Sequence, residues 1–168
     1  PAMIRWPGPI EPGTVVNDIG AHEDMLPTLL AAAGEPDIKE RLLDGGVEAI
    51  GRSYNVHLDG YDLGPALRGE GDWPRREFLY WTDDGSVAAL RYEDWKITFL
   101  KQHAEGYKVW TTPFEELRAP SLTNLRMDPF ERAELEAGGY VRWFVDHMFV
   151  LLPAQQIVAR HLAPFQAF

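Results

Sequence analysis

The sequence predicts an α+β fold in which a small antiparallel sheet packs on a long C-terminal helix. Three observations carry this reading. Residues 77 to 100 place aromatic and β-branched runs on either side of two turn signals, Asp83-Asp84-Gly85 and Glu93-Asp94, the pattern of an antiparallel meander. Past Gly138-Gly139, the apolar residues Val141, Phe144, Val145, Met148, Leu151 and Leu152 recur at helical spacing, with Trp143 and Val150 widening the stripe almost all round, so a mostly buried helix is expected there. Near the other end, Asp24 to Gly34 has the apolar spacing and the stop signal of a shorter helix.

The elements follow in order. Ile4 and Trp6 flank Arg5 in a short extended run, Pro7-Gly8-Pro9 and Pro12-Gly13 force turns, and Thr14, Val15 and Val16 resume a β-branched stretch. In the first helix Asp24 is read as N-cap, Pro27 sits where N–H groups lack intrahelical partners, and Leu26, Leu29, Leu30 and Ala33 form the buried stripe. Gly34 ends it. Residues 35 to 75 are rich in Gly, Pro and Asp and read as a long connection holding a short helix around Ile38 to Leu43. The meander comes next as Phe78–Trp81, Val87–Tyr92 and Trp95–Leu100, followed by a further extended piece near Glu116 to Asn124 that ends at Asp128-Pro129. After the helix from Tyr140, Pro153 opens a second one with Ile157, Val158, His161 and Leu162 on one face, which Pro164 ends.

Composition narrows the function. The chain has 168 residues, 45% of them hydrophobic, with 16 Lys+Arg against 26 Asp+Glu and no cysteine. It can bury a core, so wholesale disorder is excluded. A disulfide scaffold, a Cys-ligated zinc, a thiol nucleophile and an iron–sulfur cluster are excluded on this chain. A net charge of -10 gives no basic face for a phosphate backbone, so no nucleic-acid partner is expected. The most apolar run, Met148 to Leu152, falls far short of the ~20 residues of a membrane span. The reading is of a soluble chain from the cytoplasm or periplasm of a bacterium, with the compartment left open.

No catalytic motif is complete. His22-Glu23 lacks the second histidine of HExxH, because Leu26 stands at that position. Gly45-Gly46 and Gly51 do not have phosphate-loop spacing. Asp83-Asp84 at a hairpin tip is ordinary turn chemistry rather than a cation site. Ser53, Ser86 and Ser121 have no adjacent base. Of the five histidines, His22, His103, His147 and His161 read as structural or surface residues. His57 is kept because it lies in the loop-like stretch Tyr54-Asn55-Val56-His57-Leu58-Asp59-Gly60.

Several stretches together resemble the C-terminal part of the sulfatases, the formylglycine-dependent, arylsulfatase-like hydrolases of the alkaline phosphatase-like superfamily. Pro1-Ala2-Met3-Ile4-Arg5-Trp6-Pro7-Gly8 is similar to the segment that follows the family's catalytic half, and Asp24-Met25-Leu26-Pro27-Thr28-Leu29-Leu30 with Gly34 resembles the helix after it. Leu58-Asp59-Gly60-Tyr61-Asp62-Leu63 with Leu67-Arg68-Gly69, then Arg91-Tyr92-Glu93-Asp94-Trp95-Lys96, then Asn124-Leu125-Arg126-Met127-Asp128-Pro129-Phe130-Glu131 resemble the family's connection, hairpin and closing element in the same order. The tail from Tyr140 looks like the terminal helix of a bacterial subgroup.

The resemblance implies that residues 1–70 are the last elements of the large α/β sulfatase domain with its connecting segment, and 71–168 the small sheet-and-helix domain. It implies a C-terminal fragment that lacks both the formylglycine nucleophile of the C/S-x-P-x-R motif and the ligands of a divalent metal, most simply calcium. Such a chain is expected to be inactive alone, with no catalytic or metal residue of its own. Its implied partners are the missing N-terminal catalytic half, a sulfate ester in the intact enzyme, and itself, through the face left uncovered. His57 and Tyr54 are the residues placed near substrate. Two alternatives remain: the same region of a phosphonate or phosphate monoester hydrolase, or a non-catalytic interaction module. For a sulfated glycan, the module reading needs a local basic patch such as Arg68 with Arg75-Arg76 to overcome the acidic balance.

Overall fold

A computed structural model describes residues 2–166, and the chain divides into two compact units that meet in sequence between Arg76 and Glu77. The fold is mixed α+β, as the sequence predicts. None of its helices is long and apolar enough to cross a membrane, among the described residues.

In the first unit residues 2–21 form no helix or strand. A 3-10 turn, His22–Asp24, leads into α1 (Met25–Ala32), and α2 follows at Ile38–Leu43. Both helices end on a glycine with positive φ, Gly34 and Gly45. In each, the amide after that glycine bonds back to the last turn, Glu35 N to Leu30 O at 2.9 Å and Gly46 N to Arg41 O at 2.9 Å. This closure satisfies carbonyls that the helix end would leave bare. A two-stranded hairpin unforeseen in the sequence reading then pairs β1 (Val47–Ala49) with β2 (Arg52–Tyr54). Its turn residues Ile50 and Gly51 have φ of 52° and 70°, the left-handed geometry of a tight hairpin, here carried by a β-branched residue. The last helix of this unit, α3, is Gly64–Leu67.

Helix α1 does not bury the stripe expected of it. Leu26 is 50% and Leu29 65% exposed, while Asp24, Pro27 and Thr28 are buried. The inward side is chosen by polar contacts: Thr28 Oγ1 accepts the Leu63 amide at 2.9 Å and donates to the Tyr61 carbonyl at 3.3 Å.

The second unit is a four-stranded antiparallel sheet in the order β3 (Glu77–Trp81), β4 (Val87–Tyr92), β5 (Trp95–Lys101) and β6 (Glu115–Asn124). The two tight joints fall where the turn chemistry puts them. Glu93 at the second takes φ 54°, and Tyr92 pairs with Trp95 across it. Leu79, Leu90, Ile97 and Leu122, one from each strand, share a face and pack on Val150, Ala154 and Ile157. Burying each large aliphatic side chain contributes about 1.5–3 kcal/mol, so this seven-residue cluster is the main apolar stabilisation of the unit.

Beyond α4 (Ala133–Glu136), the C-terminal helix is interrupted rather than continuous. Helix α5 (Tyr140–His147) passes through a 3-10 turn, Met148–Val150, into α6 (Leu151–Leu162). Pro153 lies in the first turn of α6, where its missing N–H costs nothing. The expectation of near-complete burial fails, because only one side meets the sheet. Val150, Ala154 and Ile157 face it, whereas Val141 is 75%, Phe149 64% and Leu152 68% exposed.

Tyr140 ties α5 to the edge strand: its hydroxyl donates to the Leu122 carbonyl at 2.9 Å and accepts the Leu122 amide at 3.0 Å. Burial pushes this phenol above its ordinary range, against the lowering effect of the Leu122 amide, and the charge of Glu134 adds to the rise. A raised folded-state value means that the associated stability is fully present below the ordinary tyrosine pKa and is lost as pH rises through the folded one. Tyr140→Phe should lower the unfolding free energy at neutral pH by about 1 kcal/mol, read as a lower urea midpoint with an unchanged slope. The variant should also lose part of the alkaline sensitivity of the parent. A midpoint equal to the parent's would show that the edge bonds carry no net stability.

Candidate functional site

The first unit is organised round a buried ion pair. Arg75 sends Nε to Asp24 Oδ2 at 2.7 Å and one terminal nitrogen to Asp24 Oδ1 at 2.6 Å, a two-pronged contact. The same terminal nitrogen lies 2.7 Å from Glu23 Oε1. The Asp24 side chain is 0% and that of Arg75 3% exposed. Asp24 stands at the N-cap position of α1, as the sequence predicts, but its carboxylate accepts no bond from that helix. It takes the Ala21 amide at 2.9 Å and the Tyr61 amide at 2.8 Å instead.

This arrangement fixes the charge of Arg75. Burial alone would lower its pKa, but the hydrogen bonds it donates to Asp24 and the charges of Asp24 and Glu23 overcome that and hold it above the ordinary arginine value. The guanidinium also lies over the Tyr61 ring at 4.8 Å, with Lys39 Nζ 5.4 Å from the same ring. Lys39 Nζ donates to the Gly60 carbonyl at 2.5 Å. Three stretches far apart in sequence, 21–28, 59–63 and 73–75, are thus bound by one set of polar contacts, to which Trp73 adds its indole bond to the Ile19 carbonyl at 2.6 Å.

The segment carrying His57 leads into this hub. Tyr54 ends β2 half-buried and pairs with Val47, and the Val56 amide bonds to the Leu42 carbonyl at 3.1 Å. His57 Nδ1 faces Asp59 Oδ1 at 3.3 Å, with the two side chains 34% and 30% exposed. The Asp59 carbonyl in turn lies 3.5 Å from Arg75. Tyr54 and His57 are not brought into contact with each other. The basic patch weighed for a glycan is not formed as such, because Arg75 is buried on Asp24 and Arg68 Nε pairs with Glu70 at 2.7 Å.

The other candidates scatter. Asp83 and Asp84 are exposed at the β3–β4 turn. His103 pairs with Glu115 at 2.7 Å, His147 stacks on Trp143 with ring centroids 4.6 Å apart, and His161 lies against Trp81. No group of three or more His, Cys, Asp or Glu residues is placed to hold a metal among the described residues. The hub can orient backbone and bury charge; it offers no nucleophile paired with a base.

No family model matches this chain. The chain is similar to human arylsulfatase A, 32% identical over 149 residues that cover 82% of this chain and 26% of that protein. It is also similar to dog N-acetylgalactosamine-6-sulfatase, at 29% over 118 residues covering 70% and 18%. Mouse steryl-sulfatase matches at 29% over 104 residues, covering 60% and 14%. A solved sulfatase from Pseudoalteromonas sp. aligns with a TM-score of 0.49 and 24% identity over 78% of this chain and 25% of its own. The chain spans about a quarter of the length of the arylsulfatases A it matches.

Proposed function

This chain is related at the family level to the sulfatases, and from that premise we propose that it is the C-terminal region of an enzyme that hydrolyses sulfate esters of the arylsulfatase type. The observation that carries the reading is the 32% identity to arylsulfatase A over most of this chain and only 26% of that protein. In support, two of the stretches that carry the resemblance, Asp24–Leu30 and Leu58–Leu63, meet in the buried hub. In this reading the hub's task is architectural: it locks the connection before the small sheet onto α1. The outward Leu26 and Leu29 of α1 face the remainder of the sulfatase fold, which is the chain's partner.

In this reading the formylglycine and a divalent metal, calcium, belong to the catalytic half: no C/S-x-P-x-R motif occurs in this sequence, no group of three or more His, Cys, Asp or Glu is placed to hold a metal among the described residues, and no step of the reaction is assigned here. His57 is the residue this reading places near substrate. Asp59 Oδ1 is the acceptor that faces Nδ1, so Nε2 is the nitrogen left toward substrate; it accepts when the ring is neutral and donates to a sulfate oxygen or leaving group only as the imidazolium, with Tyr54 as a ring for an aryl substrate to stack on.

The test has two arms. The purified 168-residue chain should release no 4-nitrophenol from 4-nitrophenyl sulfate above background, while the product of the full reading frame that contains it should. Hydrolysis by the chain alone would overturn the reading. In that full-length enzyme His57→Ala should lower kcat/KM about tenfold, and unchanged kinetics would return His57 to a structural role.

A further inference from the structure

The outer side of the C-terminal helices carries an apolar stripe. Val141, Val145, Met148, Phe149 and Leu152 stand at the i, i+4, i+7, i+8 and i+11 positions of one helical face. All five are exposed, Val145 at 58% and Met148 at 46%. Val150, Ala154 and Ile157 are buried on the sheet side, so the stripe is the back of a seated helix pair rather than a frayed end. Single exposed apolar side chains are ordinary, whereas a contiguous row rimmed by polar residues marks an interaction surface.

The charges beside the stripe indicate what covers it. From Tyr140 to Ala159 the Asp, Glu, Lys and Arg residues are Arg142 and Asp146 alone. One turn apart, they lie on the same flank of the stripe. Their side chains are 92% and 63% exposed and make only a loose 4.0 Å contact with each other. An i, i+4 pair of opposite sign is self-complementary. When two copies of the helix run antiparallel about a dyad near Val145, this flank of one copy meets the same flank of the other. Each Arg142 then comes beside the Asp146 of the second copy, and Val141 comes opposite Phe149. A parallel pairing would leave the two flanks on opposite sides. In a chain of net charge -10, this neutral stretch is also where two copies repel each other least.

We propose that the α5–α6 stripe is a two-fold interface between two copies of this chain. The apolar side chains of the two stripes together bury on the order of 1,000 Å², the lower bound for a specific contact, so the pair is reversible. A lipid surface fits less well. Helices that lie on membranes carry several Lys and Arg on the polar face, and this stretch has one Arg and no Lys. The inference stands on the second unit alone and does not depend on the sulfatase reading.

Sedimentation velocity of the 168-residue chain over a concentration series provides the test. The weight-average mass should rise from monomer towards dimer as concentration increases. Phe149→Glu, on the exposed side, should weaken association at least about tenfold, with a circular dichroism spectrum matching the parent's. Arg142→Glu and Asp146→Arg should each weaken it as well, because each sets like charges together in its own pair. An equimolar mixture of those two variants should regain the parent's association, because in the mixed pair opposite charges face again. A chain that stays monomeric through the millimolar range, association undiminished in Phe149→Glu, or no recovery in the mixture would overturn the proposal. So would Phe149-dependent binding to phosphatidylcholine vesicles without self-association, which would give the stripe to a membrane. A full-length product that stays monomeric while the chain alone pairs would give it to the rest of the enzyme, and would overturn the proposal too.

Discussion

Replacing Gly60 by alanine is expected to unfold the first unit. A Cβ there would lie 2.0 Å from the Glu23 carbonyl oxygen and 2.6 Å from its carbon, with the Asp24 nitrogen at 3.1 Å. All three are backbone atoms of the 3-10 turn that leads into α1, so no side chain can rotate away. Relief requires that the 59–63 segment withdraw. Withdrawal gives up the Tyr61–Asp24 bond, the Lys39–Gly60 bond and the Leu63–Thr28 bond together. Overpacking alone costs about 1–3 kcal/mol, and the lost buried bonds add to it, so a total above about 4 kcal/mol is expected. Against the ~5–15 kcal/mol available to a whole domain, that removes most or all of the folded population. Amide hydrogen exchange over residues 21–63 should become unprotected. A Gly60→Ala variant within about 1 kcal/mol of the parent would show that the close approach is not real.

The second large effect lies at Asp24 and Arg75. Removing one member of a buried pair leaves an uncompensated charge, at a cost of about 3–5 kcal/mol. The two single variants should differ. After Arg75→Met, Asp24 keeps the Ala21 and Tyr61 amides. After Asp24→Ala both amides lose their acceptor, and Arg75 retains the half-exposed Glu23 as its acidic partner. Asp24→Ala should therefore be the more destabilising. The double variant should cost clearly less than the sum of the two, a coupling that a double-mutant cycle in urea reads directly. Additive losses would mean that the two groups do not stabilise one another. Because Arg75 is held above its ordinary value, no part of this effect is expected to come from arginine titration at neutral or moderately alkaline pH.

How much of this was legible in the sequence depends on the range of the interaction involved. Helix α2 and strands β3 to β6 are found where the residues put them, and so is the Glu93-Asp94 turn, because alternation, β-branching and turn chemistry act over a few residues. The β1–β2 hairpin is not legible in the sequence: its strands have three residues each, and its turn is led by Ile50, a residue that disfavours the positive φ it adopts. His57 was legible as a loop histidine, and its partner Asp59 lies two residues away. The motif stretches could be matched to a family without any indication of what their side chains touch.

The sequence by itself determined the fold class, the meander and its turns, the placing of α2, and the lack of any complete catalytic motif on this chain. Only the tertiary structure decided that Asp24 pairs with Arg75 across 51 residues of sequence rather than capping its helix. It also decided that α1 turns Thr28 inward and Leu29 outward, and that the second C-terminal helix, which the sequence opens at Pro153, follows a 3-10 turn at Met148–Val150 and starts at Leu151. The physical reason is desolvation. A carboxylate can cap a helix in water almost as well as it can meet a guanidinium, and the local pattern does not distinguish the two. Once Asp24 is taken wholly out of water, a charged partner is required, and which arginine supplies it is set by where the folded chain passes.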